Sequence, residues 1–200
     1  MRTVEALPSE NDGDKITFEV ACLHLATIHP LSSALESIRK GSVDTALYDH
    51  AMGIMAEAAS RIANAPREVI QDPHVRGQLK AVLLFAATAE FPYFDQAHED
   101  DFHEHAHWGG PSARTSAAFG LIALVRFDRA PKSDVMDAIR TLARDPVCQV
   151  RLQIVQNLHL LREIDQAWMW SEIEHVVTDE FTREVVSGAL QSLAKQIPFG

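Results

Sequence analysis

Apolar residues recur along this chain at intervals of three and four, with polar and charged residues between them. Val147, Val150, Ile154, Leu158 and Leu161 share one helical face at that spacing. Val135, Met136, Ile139, Leu142 and Ala143 mark a second amphipathic helix over 133–144. Met169, Ile173, Val176 and Val177 mark a third over about 166–178. Val185, Val186, Ala189, Leu190, Leu193 and Ile197 give a stripe to a last helix over 182–196, and a further helix is expected over 111–127. Earlier in the chain the pattern predicts helices at about 15–28, 31–40 and 44–64. Pro30 and Gly41 punctuate them, and Ala65-Pro66 ends the third. The stretch 46–65 is rich in Ala and Met without the alternation of a strand. Residues 1–14, with Pro8, Asn11, Asp12 and Gly13, read as a flexible acidic leader.

A longer period lies over the short one. Arg76, Arg114, Arg151 and Arg183 stand 38, 37 and 32 residues apart. Seven residues after each comes a leucine: Leu83, Leu121, Leu158 and Leu190. Ten residues after each come Ala86, Leu124, Leu161 and Leu193. Such self-similarity is the mark of a repeat architecture. Two units open on Asp-Pro, Asp72-Pro73-His74-Val75-Arg76 and Asp145-Pro146-Val147-Cys148-Gln149-Val150-Arg151. There the aspartate can serve as N-cap and the proline as first helical residue, where its missing N–H is no loss.

This combination of Asp-Pro, a Val-Arg step and leucines seven and ten residues on resembles the first helix of a HEAT repeat. The pattern covers roughly residues 72–195; Gly110-Pro111 and Ala113-Arg114 replace the motif in the second unit, and Asp179-Glu180 in the fourth. The resemblance implies an all-α fold, an α-solenoid of HEAT-like helical hairpins forming an α-α superhelix, in which helix pairs stack on their neighbours. Residues 15–200 then form one repeat domain, irregular over 15–71 and clearer over 72–200. In such a stack the repeated arginine pairs with a capping aspartate, with helix-end carbonyls or with a neighbour's acid. For Arg151 that predicts Asp145 or an adjacent acid as partner. The sharper alternative is an exposed ligand-binding ladder that includes Arg114 and Arg151. The last helix has no second helix after it before Gly200, so its stripe reads as either a terminal cap or one end of a longer solenoid.

Charge narrows the partners. With 18 basic and 28 acidic residues the net charge is −10, which argues against a nucleic-acid duplex and for protein partners. The N-terminus lacks the basic and apolar regions of a signal peptide, and the apolar run 81–89 is too short to span a membrane. A cytoplasmic protein without membrane association is the expectation. Cys22 and Cys148, both among apolar neighbours, read as buried reduced thiols.

One stretch holds candidate chemistry. The acidic, His-rich insert 95–110 carries His98, His103, His105 and His107, with no Lys or Arg from 81 through 113. His103-Glu104-His105-Ala106-His107 matches H-E-x-x-H, in which two imidazoles one helical turn apart hold zinc and the glutamate polarises its water. A catalytic site needs a third protein ligand. Ala113 occupies the position where the longer metalloprotease pattern places a histidine. A divalent transition metal bound non-catalytically by His98, His103, His105 and His107 is the milder reading. A solvated inter-repeat loop without cofactor is the blandest, and the leading one. The chain has no phosphate-binding glycine loop, dinucleotide fingerprint or nucleophile elbow.

Trp168 and Trp170 are two residues apart on a helix and cannot share a face; core packing of both, or a boundary position, is the leading reading, and one packed with the other exposed as a binding anchor is the sharper one. The sequence thus predicts a non-enzymatic scaffold for protein–protein interaction, standing alone or as a region of a larger multidomain protein, with Trp108, Trp170, Arg114 and Arg151 as candidate binding residues. The rival readings are a HEAT-like nucleic-acid or base-repair module and a metal-binding protein or metal-dependent hydrolase built on the His cluster.

Overall fold

The computed structural model describes residues 26–41, 44–67, 70–104, 112–128 and 133–196. The leader, most of the predicted helix 15–28, and the candidates His105, His107 and Trp108 lie outside them. The described residues are all-helical, with nine α-helices and no strand. In chain order these are α1 (Ile28–Arg39), α2 (Thr45–Ala63), α3 (Pro73–Ala86), α4 (Gln96–Glu104) and α5 (Ala113–Leu124). They continue with α6 (Ser133–Ala143), α7 (Cys148–Val155), α8 (Gln166–Asp179) and α9 (Arg183–Ala194). Short 3-10 turns follow α5 at Val125–Phe127 and α7 at Leu158–Leu161. Among the described residues no helix is long and apolar enough to cross a membrane.

Helices α2, α5, α7 and α9 pack successively against one another, while α3 lies against α2 and α5 and touches α1 on one side and α6 on the other. The composition of α2 explains the closest of these contacts. Met52, Met55, Ala56, Ala59, Ile62 and Ala63 are buried, and the small residues among them let α5 approach. Gly120 of α5 completes the fit. A Cβ there would stand 2.7 and 2.8 Å from the Leu83 methyls and 3.0 Å from the Ser60 Cα. Helix α5 is apolar on every side, as a central helix must be, whereas α6 buries one sharp stripe, Val135, Met136, Ile139, Leu142 and Ala143.

Two sequence expectations change here. Arg76 places α3 in register with α5, α7 and α9, but α3 lies against both α2 and α5 and stands outside that succession. The signal misleads because a leucine seven residues after a surface arginine suits any amphipathic helix. The third unit also breaks. Its predicted helix to Leu161 ends at Val155 and resumes as a 3-10 turn, and it begins at Cys148 with Val147 as N-cap. Asp145 instead accepts the Val147 N–H at 2.9 Å, turning the chain two residues early. Asp72 behaves as expected: it accepts the His74 N–H at 2.8 Å, with Pro73 at the first helical position.

Candidate functional site: the seam at the helix entrances

The repeated arginines meet the entrances of the stacked helices. Arg114, on the first turn of α5, is gripped by Asp145 through Nε and Nη2 at 2.7 and 3.1 Å. Its remaining donors reach the carbonyls of Ala89 at 3.0 Å, Pro92 at 2.7 Å and Glu90. Arg151 repeats the arrangement one helix on, donating to Glu180 at 2.7 and 3.1 Å and to the Asp145 and Pro146 carbonyls at 2.8 and 2.9 Å. Each acid does two tasks. Asp145 and Glu180 clasp the arginine of the preceding helix and accept an N–H at the entrance of their own, from Val147 and Thr182. Burial works against ionising Glu180, but the Arg151 hydrogen bonds, the Thr182 hydrogen bonds and the Arg151 charge together outweigh it and hold its carboxyl below the ordinary range. With side chains only 13% and 17% exposed, Arg114 and Arg151 spend their forks inside the chain. Arg76 shares only the carbonyl half of the motif, at Ile70 and Gln71.

The described part of the acidic insert, 95–104, is not a solvated loop. Residues 96–104 form α4, whose entrance is capped by Asp95 through the Ala97 N–H at 3.0 Å. Phe102 is fully buried. Both carboxylate oxygens of Glu99 accept the N–H of Cys148, at 3.0 and 3.1 Å, so an acid from the insert neutralises the start of α7. His98 Nε2 lies 2.9 Å from the Gln149 amide, and His103 Nδ1 accepts the Arg183 N–H at 3.2 Å. Two of the four candidate metal ligands therefore contact two different helices, α7 and α9. Among the described residues no group of three or more His, Cys, Asp or Glu is arranged to hold a metal ion.

The other chemistry-bearing side chains are passive. Burial, then the Glu99 carboxylate, pushes the Cys148 thiol up to about 12, which removes its nucleophilicity at neutral pH. Ser192 is fully buried and accepts the His159 N–H at 2.7 Å; burial lowers that imidazole to about 4. The pair is a packing contact.

The tryptophans divide between packing and exposure. Trp168 packs against the core with Arg140 5.8 Å from its ring centroid, while Trp170 is 46% exposed. Val177, seven residues further along α8, shares its face and is exposed, as are Phe181 in the following turn and Leu190 on α9. Phe181 is 91% exposed, an unusual position for a large aromatic. Glu174, four residues after Trp170 and three before Val177, is exposed on the same face, so α8 offers solvent apolar side chains with a carboxylate among them. Neither Phe181 nor the insert's Glu99 and Phe102 was visible as a functional candidate in the sequence. A lone phenylalanine carries no periodic signal, and capping of α7 from α4 is a non-local pairing.

Glu172 is the buried exception to the seam's well-paired acids. Its side chain is 1% exposed; one oxygen accepts Arg144 at 2.9 Å and the other has no partner. Burial raises this carboxyl above its ordinary value, against the opposing pull of Arg144 and His175. A raised carboxyl is held protonated more firmly in the folded chain than in the unfolded one. Its stabilising contribution is therefore present at low pH and lost as pH rises from about 4.5 through the folded value. Glu172→Gln removes this penalty. Its Tm relative to wild type is expected to move upward between pH 4 and pH 7 by about 2–4 °C, corresponding to roughly 1 kcal/mol. Parallel melting curves at both pH values check this, and a difference constant with pH counts against it.

Comparison of the chain with protein-family models, curated proteins and solved structures finds no match.

Proposed function

We propose that this chain is a HEAT-like α-solenoid acting as a non-enzymatic scaffold for protein–protein interaction, and that α8 with the following turn is its contact surface. The succession α2, α5, α7, α9, with α3 against both α2 and α5, supports a stack of helix pairs. Repetition of the arginine–acid clasp at α5 and α7 supports it independently. The observation that carries the interaction reading is the exposed set Trp170, Val177 and Phe181. Such residues are the usual anchors of a protein interface. With Glu174 on the same face, the fitting partner is an amphipathic segment that brings apolar side chains flanked by Lys or Arg.

A photocrosslinker at position 177, used in lysate of the source organism, tests this. The expected product is a partner segment of that basic-apolar composition. Trp170→Ala with Phe181→Ala should weaken its binding by about 30-fold, or roughly 2 kcal/mol. Because both side chains are exposed, Tm should hold. Capture that survives the double substitution unchanged would sink the assignment of the surface.

A further inference from the structure

A second polar cluster lies at the opposite ends of the inner helices, away from the seam. Phe127 ends the 3-10 turn after α5, and three guanidinium carbons surround its ring. Arg126 Cζ is 4.7 Å from the ring centroid, Arg67 Cζ 5.8 Å and Arg76 Cζ 5.9 Å. They come from three separate segments: the turn after α2, the first turn of α3 and the turn after α5.

These arginines differ from most of the others in one respect. Arg114, Arg140, Arg144 and Arg151 all pair with carboxylates. Among the described residues Arg67, Arg76 and Arg126 form no ion pair. Their partners are carbonyls alone: Arg126 O for Arg67, Ala63 O and Ala65 O for Arg126, Ile70 O and Gln71 O for Arg76. The Nε of Arg126 is buried and meets no acceptor. Nearby acids are occupied, Asp72 by the His74 N–H and Asp128 by an interaction of its own. Burial and the charge of Arg67 together depress the Arg126 guanidinium, a sign that the cluster repels itself. A chain of net charge −10 thus gathers three guanidiniums without a carboxylate partner around one ring, together with a buried, unused donor.

We infer that Arg67, Arg76 and Arg126 form a receptor for a phosphoryl oxyanion, seated beside Phe127. A tetrahedral polyanion offers acceptor oxygens in several directions at once and offsets more than one positive charge, as a single carboxylate does not. Helix C-termini ordinarily disfavour anions, but here Arg126 already caps the exposed carbonyls of α2. The phosphoryl group can belong to a small phosphate compound or to a nucleic-acid backbone; the chemistry of recognition is the same.

Inorganic pyrophosphate is the probe, titrated into the whole chain by calorimetry at constant ionic strength, with chloride as control. Wild type is expected to bind it. Arg67→Ala, a change at an exposed side chain, should weaken binding by at least about tenfold. Arg67→Glu places a carboxylate inside the cluster and should abolish binding while the unliganded Tm stays level or rises. No binding by wild type at about 10 mM, or Arg67→Ala within about twofold of wild type, overturns the inference. A single-stranded oligonucleotide of about a dozen nucleotides is then added as competitor. Displacement assigns the polymer backbone as the source, and failure to displace assigns a small phosphate compound.

Discussion

Asp145→Ala is expected to destabilise the folded chain by about 3 kcal/mol, near the lower end for breaking a buried ion pair. The loss has two parts. Arg114 keeps its carbonyl acceptors but loses the only carboxylate on its fork, with its side chain still mostly buried. The Val147 N–H loses its acceptor at the entrance of α7. Because the arginine supplies part of the damage, Arg114→Ala combined with Asp145→Ala should cost less than the sum of the two, by about 0.5–3 kcal/mol. Denaturant unfolding of the four proteins measures this cycle. Strict additivity would mean that the clasp is incidental to the stack.

Leu158→Ala is expected to cost about 2–5 kcal/mol, lowering Tm by roughly 2–4 °C per kcal/mol. Leu158 is fully buried in the 3-10 turn after α7, and that turn touches α5, α8, α9 and the turn that ends α5. Four elements bound the space its side chain would vacate, so collapse of any one into the gap is restrained by the others. The urea midpoint should fall with little change in slope. A loss under about 0.5 kcal/mol would show the site to be far more adaptable than its burial indicates.

The comparison of Leu158 with Leu190 shows what the sequence conveyed. Both occupy the seventh position after a repeated arginine, yet one is fully buried and the other 54% exposed. Periodicity identifies which face of a helix is apolar; it does not say whether another helix covers that face. Helix spans and the Asp72 cap were legible because they depend on neighbours within a turn. The misplacement of α3 came from reading a short-range pattern as a long-range register. The insert was misread for a related reason. Its nine helical residues contain a single large apolar side chain, Phe102, and an acidic composition suggests water. Only the fold reveals that one of those acids faces an unsatisfied backbone N–H. The arginine–acid clasps were half legible: an acidic partner for Arg151 was foreseen, but Glu180 as that partner was not.

That insert also bears on how the chain unfolds. In an array where each unit touches only the next, the last helices can fray without consulting the rest. Here α4 departs from that rule. Glu99 meets Cys148 across 49 residues, and His103 meets Arg183 across 80. A helix from the middle of the chain thereby fastens the starts of two helices that come later. Peeling α9 away must break a bond to α4, and undocking α4 uncovers α7. Contacts of such long loop closure form late and slowly, but once made they bind distant segments into one cooperative transition. Amide protons at the start of α7 should therefore exchange with solvent only when the molecule opens as a whole, although the helix lies only one helix pair from the end of the row.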